Sequence, residues 1–404
     1  MNSLWDTPSC SLFAKRVANE IWQGKIVLVF LPAHAPQGFL TKLKIELSKG
    51  EDILYAKFDL SECDSTETKP VESLLHNHYL LDKNNETYIY KKASSIFSSV
   101  NCELCQILVF EKLSEFLLPK FKEFLIELGR YLAGIPEVNR HKILVVIDPN
   151  KCRFDDFPAE SGIIKFKFEG IVDKLDLALS IRYFFGSNKQ NQNPLFESII
   201  ISLSKFDLNL SEKLWESNNI LENYNQKLQQ FAESNKWQDI KFKNQDQLTE
   251  TEKWQLWALG ILDRIDGTTI YHSAFLKIHN KQNELDKCLW LSGLQILLPL
   301  IEEFRMKIIS SKNLQFPRWH KNGKTGEVTE NKEDFEIGDI CFMLNISKIK
   351  TYNMSAFEKL KLKAFISLCR DIRNDISHLR MSEANKNLQF FADKESVELI
   401  LEDR

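Results

Sequence analysis

The sequence predicts an α/β N-terminal domain with a mostly parallel sheet, followed by an all-α helical region and a C-terminal helical bundle. Three observations predict it. Near-continuous apolar, β-branched runs alternate with helical patterns through about residue 186, as in a parallel sheet covered on both faces. A polar stretch without hydrophobic period, Gly186–Pro194 (GSNKQNQNP), then reads as a linker. Beyond it the Leu, Trp and Phe spacing is helical. The expected divisions are 1–186, a helical connector at 195–281, and an end domain at 285–404.

The strands follow in order. Lys25–Pro32 (KIVLVFLP) is the first, Ile53–Leu60 the second, Cys105–Glu111 the third, Lys142–Pro149 the fourth and Ile163–Phe168 the fifth. Gly38–Leu47, Leu117–Leu132 and Ile171–Phe185 carry helical spacing. Asp266–Gly267 marks a turn, read here as joining two helices. A long apolar helix begins near Leu285. A polar loop spans Ser310–Glu336, then come Gly338–Asn345 and a helix from Ser355 to about Arg380. The tail Ser396–Glu402 has no clear type.

Composition narrows the function classes. A net charge of −3 excludes a constitutively basic nucleic-acid coat, so any RNA contact is local. The eight cysteines are scattered, which suits free thiols in a reducing, cytoplasmic compartment. The first residues lack a basic start and an apolar signal core. No apolar run reaches spanning length, so no membrane partner is expected; the stretch around Leu289–Ile301 is interrupted by Ser292, Gly293, Gln295 and Pro299.

An alternating α/β domain invites a phosphate-loop reading. After the first strand, however, Ala33–Lys44 (AHAPQGFLTKLK) supplies only Gly38 and lacks the Gly-Lys pair. Glu111 at the end of the third strand, and Asp148 and Asn150 after the fourth, stand where catalytic or sensing groups would. This order resembles a P-loop NTPase core that has lost its phosphate loop. A plain α/β domain with acids at strand ends fits equally. Either way strong ATP hydrolysis is not expected, and no cofactor is. The Gly323–Thr325 GKT has Arg318 where the first glycine should stand and sits in a polar loop.

The residues that carry chemistry are near the C-terminus, in CRDIRNDISHLR (Cys369–Arg380). Metal-free RNA cleavage needs a base for the 2′-OH proton and a fixed cation for charge on the phosphorane. His378 has the pKa range for the first task. Arg373 forks onto phosphate oxygens and suits the second. Asn374, four residues before His378, shares its helix face and can orient it or hold a phosphate. Arg373 and His378 are five apart, so about 140° separates them around a helix. A helix break, or a second copy of the motif, is needed to bring both to one phosphate. Lys359, Lys363, Arg370 and Arg380 add positive charge that could follow an RNA backbone; a solvated helix face is the alternative.

The Arg-Asn-x-x-x-His pattern on a late helix, with a long apolar helix upstream, resembles the HEPN superfamily (higher eukaryote and prokaryote nucleotide-binding) over about Leu285–Asp403. The resemblance implies a HEPN-like helical bundle and metal-independent RNase activity. It also implies a composite site at a dimer interface, hence a homodimer through this domain or pairing with another HEPN partner. HEPN toxins modified by a nucleotidyltransferase carry Tyr two residues after the His; here Arg380 stands there.

Other candidates weigh less. Cys102–Cys105 is one CxxC, half of what structural zinc wants, so no metal is expected. His76 and His78 lie in a polar segment. Glu302 and Glu303 could face the motif or pair with Arg305. The resulting expectation is an endoribonuclease effector of a toxin or anti-phage system, restrained by its front domain or a regulatory protein partner. The alternative is a non-catalytic HEPN-like scaffold or regulatory subunit of a multiprotein complex; the motif itself could also be plain structure, with Arg373 in an ion pair and His378 as a cap.

Overall fold

The structure, a computed structural model, describes residues 3–48, 53–64, 66–78, 96–97, 106–157, 162–184, 193–217, 219–321, 326 and 328–402. Cys102–Cys105, Gly323–Thr325 and residues 186–192 of the expected linker lie outside the described residues. Two compact units are present, each described by itself. The first takes in 1–184, 205–210 and 239–272; the second takes in the rest.

The first unit is built on five parallel strands: β1 (Ile26–Phe30), β2 (Leu54–Asp59), β3 (Gln106–Glu111), β4 (Lys142–Ile147) and β5 (Ile163–Lys167). Their order is β2-β3-β4-β1-β5. Every residue of β1 is buried. This is why its sequence is a continuous apolar run rather than an alternating one. Helices α1 (Pro8–Trp22), α2 (Phe39–Leu47), α3 (Pro70–His78), α4 (Leu118–Ala133) and α5 (Lys174–Phe184) belong to the same unit. Phe39 and Phe168 pack on the Trp5 ring with centroids 5.0 and 5.3 Å from it, and the Trp5 indole N–H donates to the Pro36 carbonyl at 2.8 Å.

The second unit is helical: α6 (Pro194–Ser204), most of α7 (Leu208–Trp215), α8 (Ile220–Ser234), α10 (Ser273–Ile278), α11 (Gln282–Ser310), α12 (Ile337–Asn345), α13 (Ala356–Ser377) and α14 (Ala384–Leu401). α11 packs against α6, α10, α13 and α14. The tail of unclear type is thus part of a helix; Phe390 in α14 stacks on Phe365 of α13 at 5.4 Å, and that burial fixes the state. No helix among the described residues is long and apolar enough to cross a membrane.

The expected helical connector at 195–281 needs correction. Within it stand α9 (Glu250–Ala258) and an antiparallel hairpin, β6 (Leu262–Ile265) with β7 (Thr268–Tyr271), and this stretch clusters with the sheet unit. Asp266–Gly267 is the hairpin turn, not a helix junction. Both residues have positive φ, +49° and +77°, as a two-residue type I′ turn demands, and Asp-Gly is a favoured pair for it. The loop 310–336 likewise contains short strands: β8 (Leu314–Gln315) pairs with β11 (Lys350–Thr351), and β9 (His320–Lys321) with β10 (Val328–Thr329).

Candidate functional site

α13 starts on a capping box, in which Ser355 and Glu358 satisfy each other's backbone N–H groups. Its buried stripe is Leu362, Phe365, Ile366, Cys369, Ile372 and Ile376. Burial pushes the Cys369 thiol far up, so this cysteine is an inert core group. The stripe seats α13 on α11 and α14, with Phe365 edge-on to Phe304 at 4.8 Å.

All three motif residues fall at the exposed C-terminal end of α13. Arg373 is half-buried, while Asn374 and His378 are exposed. His378 is the C-cap residue, and its N–H still donates to the Asn374 carbonyl at 3.0 Å. The helix therefore breaks after His378, at Leu379 with φ +58°. Since His378 keeps helical phase, the separation of about 140° from Arg373 persists. Asn374 and His378 do share a face. The Arg373 guanidinium turns the other way, to Glu336 at 2.9 Å, the N-cap of α12.

The chain holds this end firmly. The Trp290 indole N–H of α11 donates to the Ile376 carbonyl at 2.8 Å. Gly293, one turn on, leaves room for Met381; a Cβ there would lie 2.8 Å from its sulfur. Past the helix, the Ser382 hydroxyl donates to Asn387 Oδ1, and Asn387 Nδ2 donates back to the Ser382 carbonyl, both buried.

The four expected RNA-binding cations divide. Arg370 is bound to Asp371 (2.8 and 3.0 Å), to Ser367 and to the Cys341 sulfur, and its pairing with Asp371 raises its pKa further. Arg380 pairs with Asp375 at 2.9 Å, and Lys386 shares that carboxylate. Lys359 and Lys363, one turn apart on α13, are half-buried. Glu302 takes the Arg305 Nε–H at 2.7 Å, and Glu303 takes Lys307 at 2.9 Å, so these acids form ion pairs on α11.

In the sheet unit, the acids at the strand ends hold local contacts. Glu111 pairs with Lys57 at 3.3 Å, and Asp148 accepts from the Asn150 backbone and side chain. Beside the end of β4 lies a cleft of about 730 Å³ lined by Lys151, Arg153, Lys241, Lys243 and Trp254 together with Glu115, Asp156 and Glu252, the last paired with Lys243. Two buried His–Asp pairs went unseen in the sequence. His272 Nε2 lies 3.2 Å from Asp207, and His34 Nε2 lies 3.6 Å from Asp263. All four are at most 3% exposed, too enclosed for a substrate. Asp207 also caps α7, and Asp263 accepts the Gly170 N–H, so both acids tie loops together. Among the described residues no group of His, Cys, Asp or Glu is arranged to hold a metal ion. His76 sits on α3, half-buried, and His78 is exposed.

Sequence reasoning missed Trp290, Gly293 and Glu336. The first two stand three apart on a helix, a spacing that signals a shared face but not its partner. Glu336 is signalled only by the acid three residues later, Asp339, with which it forms a capping box. No family model matches the chain, and no curated protein is significantly similar to it.

Proposed function

We propose that the chain is a metal-independent endoribonuclease effector whose centre is Arg373, Asn374 and His378. The observation that carries this reading is an accessible imidazole at a helix end whose backbone is tied down by Trp290, with Asn374 on its face and the Arg373 guanidinium five residues before it on the same helix. Such an imidazole can take the 2′-OH proton, and an arginine can meet the phosphorane charge.

The separation of Arg373 from His378 supports a site completed by two copies. Leu360 and His378 are five helical turns apart and in line, and Phe357 and Ala364 lie about 40–60° to one side of that line. Phe357 is 74% and Leu360 68% exposed, large apolar groups on the outward face of α13. A second copy laid along this stripe would cover them and bring its own arginine towards the first copy's histidine. The sheet unit or a protein partner then restrains the site, as an effector that cuts RNA requires.

The Arg373–Glu336 pair favours a second reading, a non-catalytic HEPN-like scaffold in which the arginine only ties α13 to α12. RNA incubated with the purified protein in chelator separates the two. Cleavage that disappears in His378→Ala and in a Leu360→Asp monomer supports the nuclease. Uncut RNA under every trigger, nucleotides and phage extract included, supports the scaffold.

A further inference from the structure

The surface made by residues 312–321 and 348–352 differs in chemistry from the rest of the helical unit. Neither segment contains an Asp or Glu. Arg318, Lys321, Lys348 and Lys350 are exposed, and none is ion-paired with a described residue. This contrasts with Arg370, Arg373 and Arg380, each already facing a carboxylate.

Two aromatic faces stand among these cations. Trp319 is 57% exposed and Tyr352 46%. Leaving both rings outside the core forgoes apolar burial, since an indole covers much apolar area, so folding alone does not account for them. The Tyr352 ring is held in place by a neighbour. Lys350 pairs in register with Gln315, and the two-residue period puts Tyr352 on the same side as Lys350. The Tyr352 hydroxyl donates to Gln315 Oε1 at 2.5 Å, which fixes the ring. Next to Trp319, His320 points inward, 2% exposed, with Nε2 3.5 Å from Asp339 and its ring against Phe335. A groove of about 970 Å³ is lined by Phe316, Arg318, Trp319, Asn331 and Lys332, with Glu330 as the one acid among the described lining residues.

We propose that this surface binds single-stranded RNA, stacking bases on Trp319 and Tyr352 and holding phosphates with Arg318, Lys321, Lys348 and Lys350. Unpaired cations match a phosphate chain, and every base offers a face to an aromatic ring. A duplex cannot use the rings, because its bases are already stacked. The platform is tied to the motif: Asp339, which meets His320, lies in the first turn of α12, and Glu336 at that turn's cap holds Arg373. The proposal rests on the nuclease reading and names its substrate class.

The test measures binding apart from cleavage. Full-length His378→Ala protein is titrated into a fluorescent, unstructured RNA oligonucleotide and followed by anisotropy over a salt series. Adding Trp319→Ala is expected to weaken binding roughly 5- to 100-fold, the range of one base–aromatic stack removed. Adding Arg318→Gln and Lys350→Gln instead is expected to flatten the log–log salt slope by about 0.7 for each phosphate no longer neutralised. A duplex of the same length should bind more weakly than the single strand. Unchanged affinity in both variants, with unchanged circular dichroism, overturns the platform, as does equal binding of duplex. So does a Trp319→Ala effect confined to sedimentation, which would make the surface a protein interface. Tight, Trp319-dependent binding with no cleavage by the His378 protein would refute the nuclease and leave the platform standing.

Discussion

Substituting Gly293→Ala probes the clamp behind the motif. A Cβ at this position meets Met381 Sδ at 2.8 Å and Ile376 Cδ1 at 3.9 Å, so the thioether must move. On an open helix the same change would stabilise by about 1 kcal/mol. Overpacking a filled site costs about 1–3 kcal/mol, and a flexible methionine keeps the cost near the lower end. The two effects leave a net destabilisation of about 0–2 kcal/mol. Met381→Ala removes the obstruction, and in the double variant the methyl group added at position 293 enters vacated space. The two changes should therefore couple by about 1 kcal/mol, within the range of roughly 0.5–3 kcal/mol for touching residues. Urea midpoints at constant m-value across the four proteins of the cycle measure this. Additivity within about 0.5 kcal/mol would refute the contact between Gly293 and Met381. Met381 follows His378 by three residues, so Gly293→Ala should depress RNA cleavage more than stability, with partial recovery in the double variant.

Three further outcomes follow from the geometry. Gly170→Ala places a Cβ 2.4 Å from the Arg264 carbonyl oxygen at φ +63°, and a backbone atom cannot swing aside; a loss of roughly 2–5 kcal/mol is expected, and an unchanged melting temperature would count against it. His272 has its pKa lowered by burial, against the opposing pull of Asp207, with Lys205 and His34 adding to the lowering. The unfolded chain then binds the proton more tightly, so stability is full above about pH 6.5 and declines as the pH falls from there towards the lower folded value. Chemical denaturation between neutral pH and pH 5 should show this slope in the native protein and a shallower one in His272→Gln; parallel curves would exclude the histidine as its source. Glu336→Gln breaks a partly exposed ion pair and should shift stability by no more than about 1 kcal/mol. It should leave RNA cleavage intact or raise it, because the guanidinium is released; a folded variant that no longer cuts would place the carboxylate in the chemistry.

The parallel sheet was legible because burial on both faces leaves a strand no polar positions, as in Ile26–Phe30. The hairpin at 262–271 was not, because its strands are four residues each, too short to show a period of two against a helical background. Only Asp-Gly betrayed it. At the motif, the spacing alone gave the angle between Arg373 and His378, and the structure preserves that angle by breaking the helix one residue too late to change it. What spacing could not give was the partner of each charge. Arg370, Arg373 and Arg380 look alike along the chain, yet Asp371 and Asp375 claim two of them from the same helix, whereas Glu336 reaches the third from α12.

The same kind of contact bears on nucleotide binding. In the order β2-β3-β4-β1-β5 the chain leaves β1 towards one edge and β4 towards the other, so the crevice where ligands settle in such sheets opens between their C-terminal ends. A phosphate there would be held by backbone N–H groups of the loop after β1. One of these, from Ala33, already donates to the Ala258 carbonyl at 2.9 Å, and the side-chain amide of Asn150 reaches the same oxygen at 3.4 Å. Gly260 completes the filling, for even a Cβ there would stand 3.0 Å from the His34 nitrogen. The Trp254 indole closes the far side through the Pro149 carbonyl at 2.9 Å. For a triphosphate to enter, the end of α9 would have to withdraw, leaving that carbonyl unpaired at a cost of about 1–3 kcal/mol before any contact is made. Calorimetry with ATP should accordingly show no micromolar binding, and a dissociation constant in that range would mean that residues 254–260 move aside as a gate.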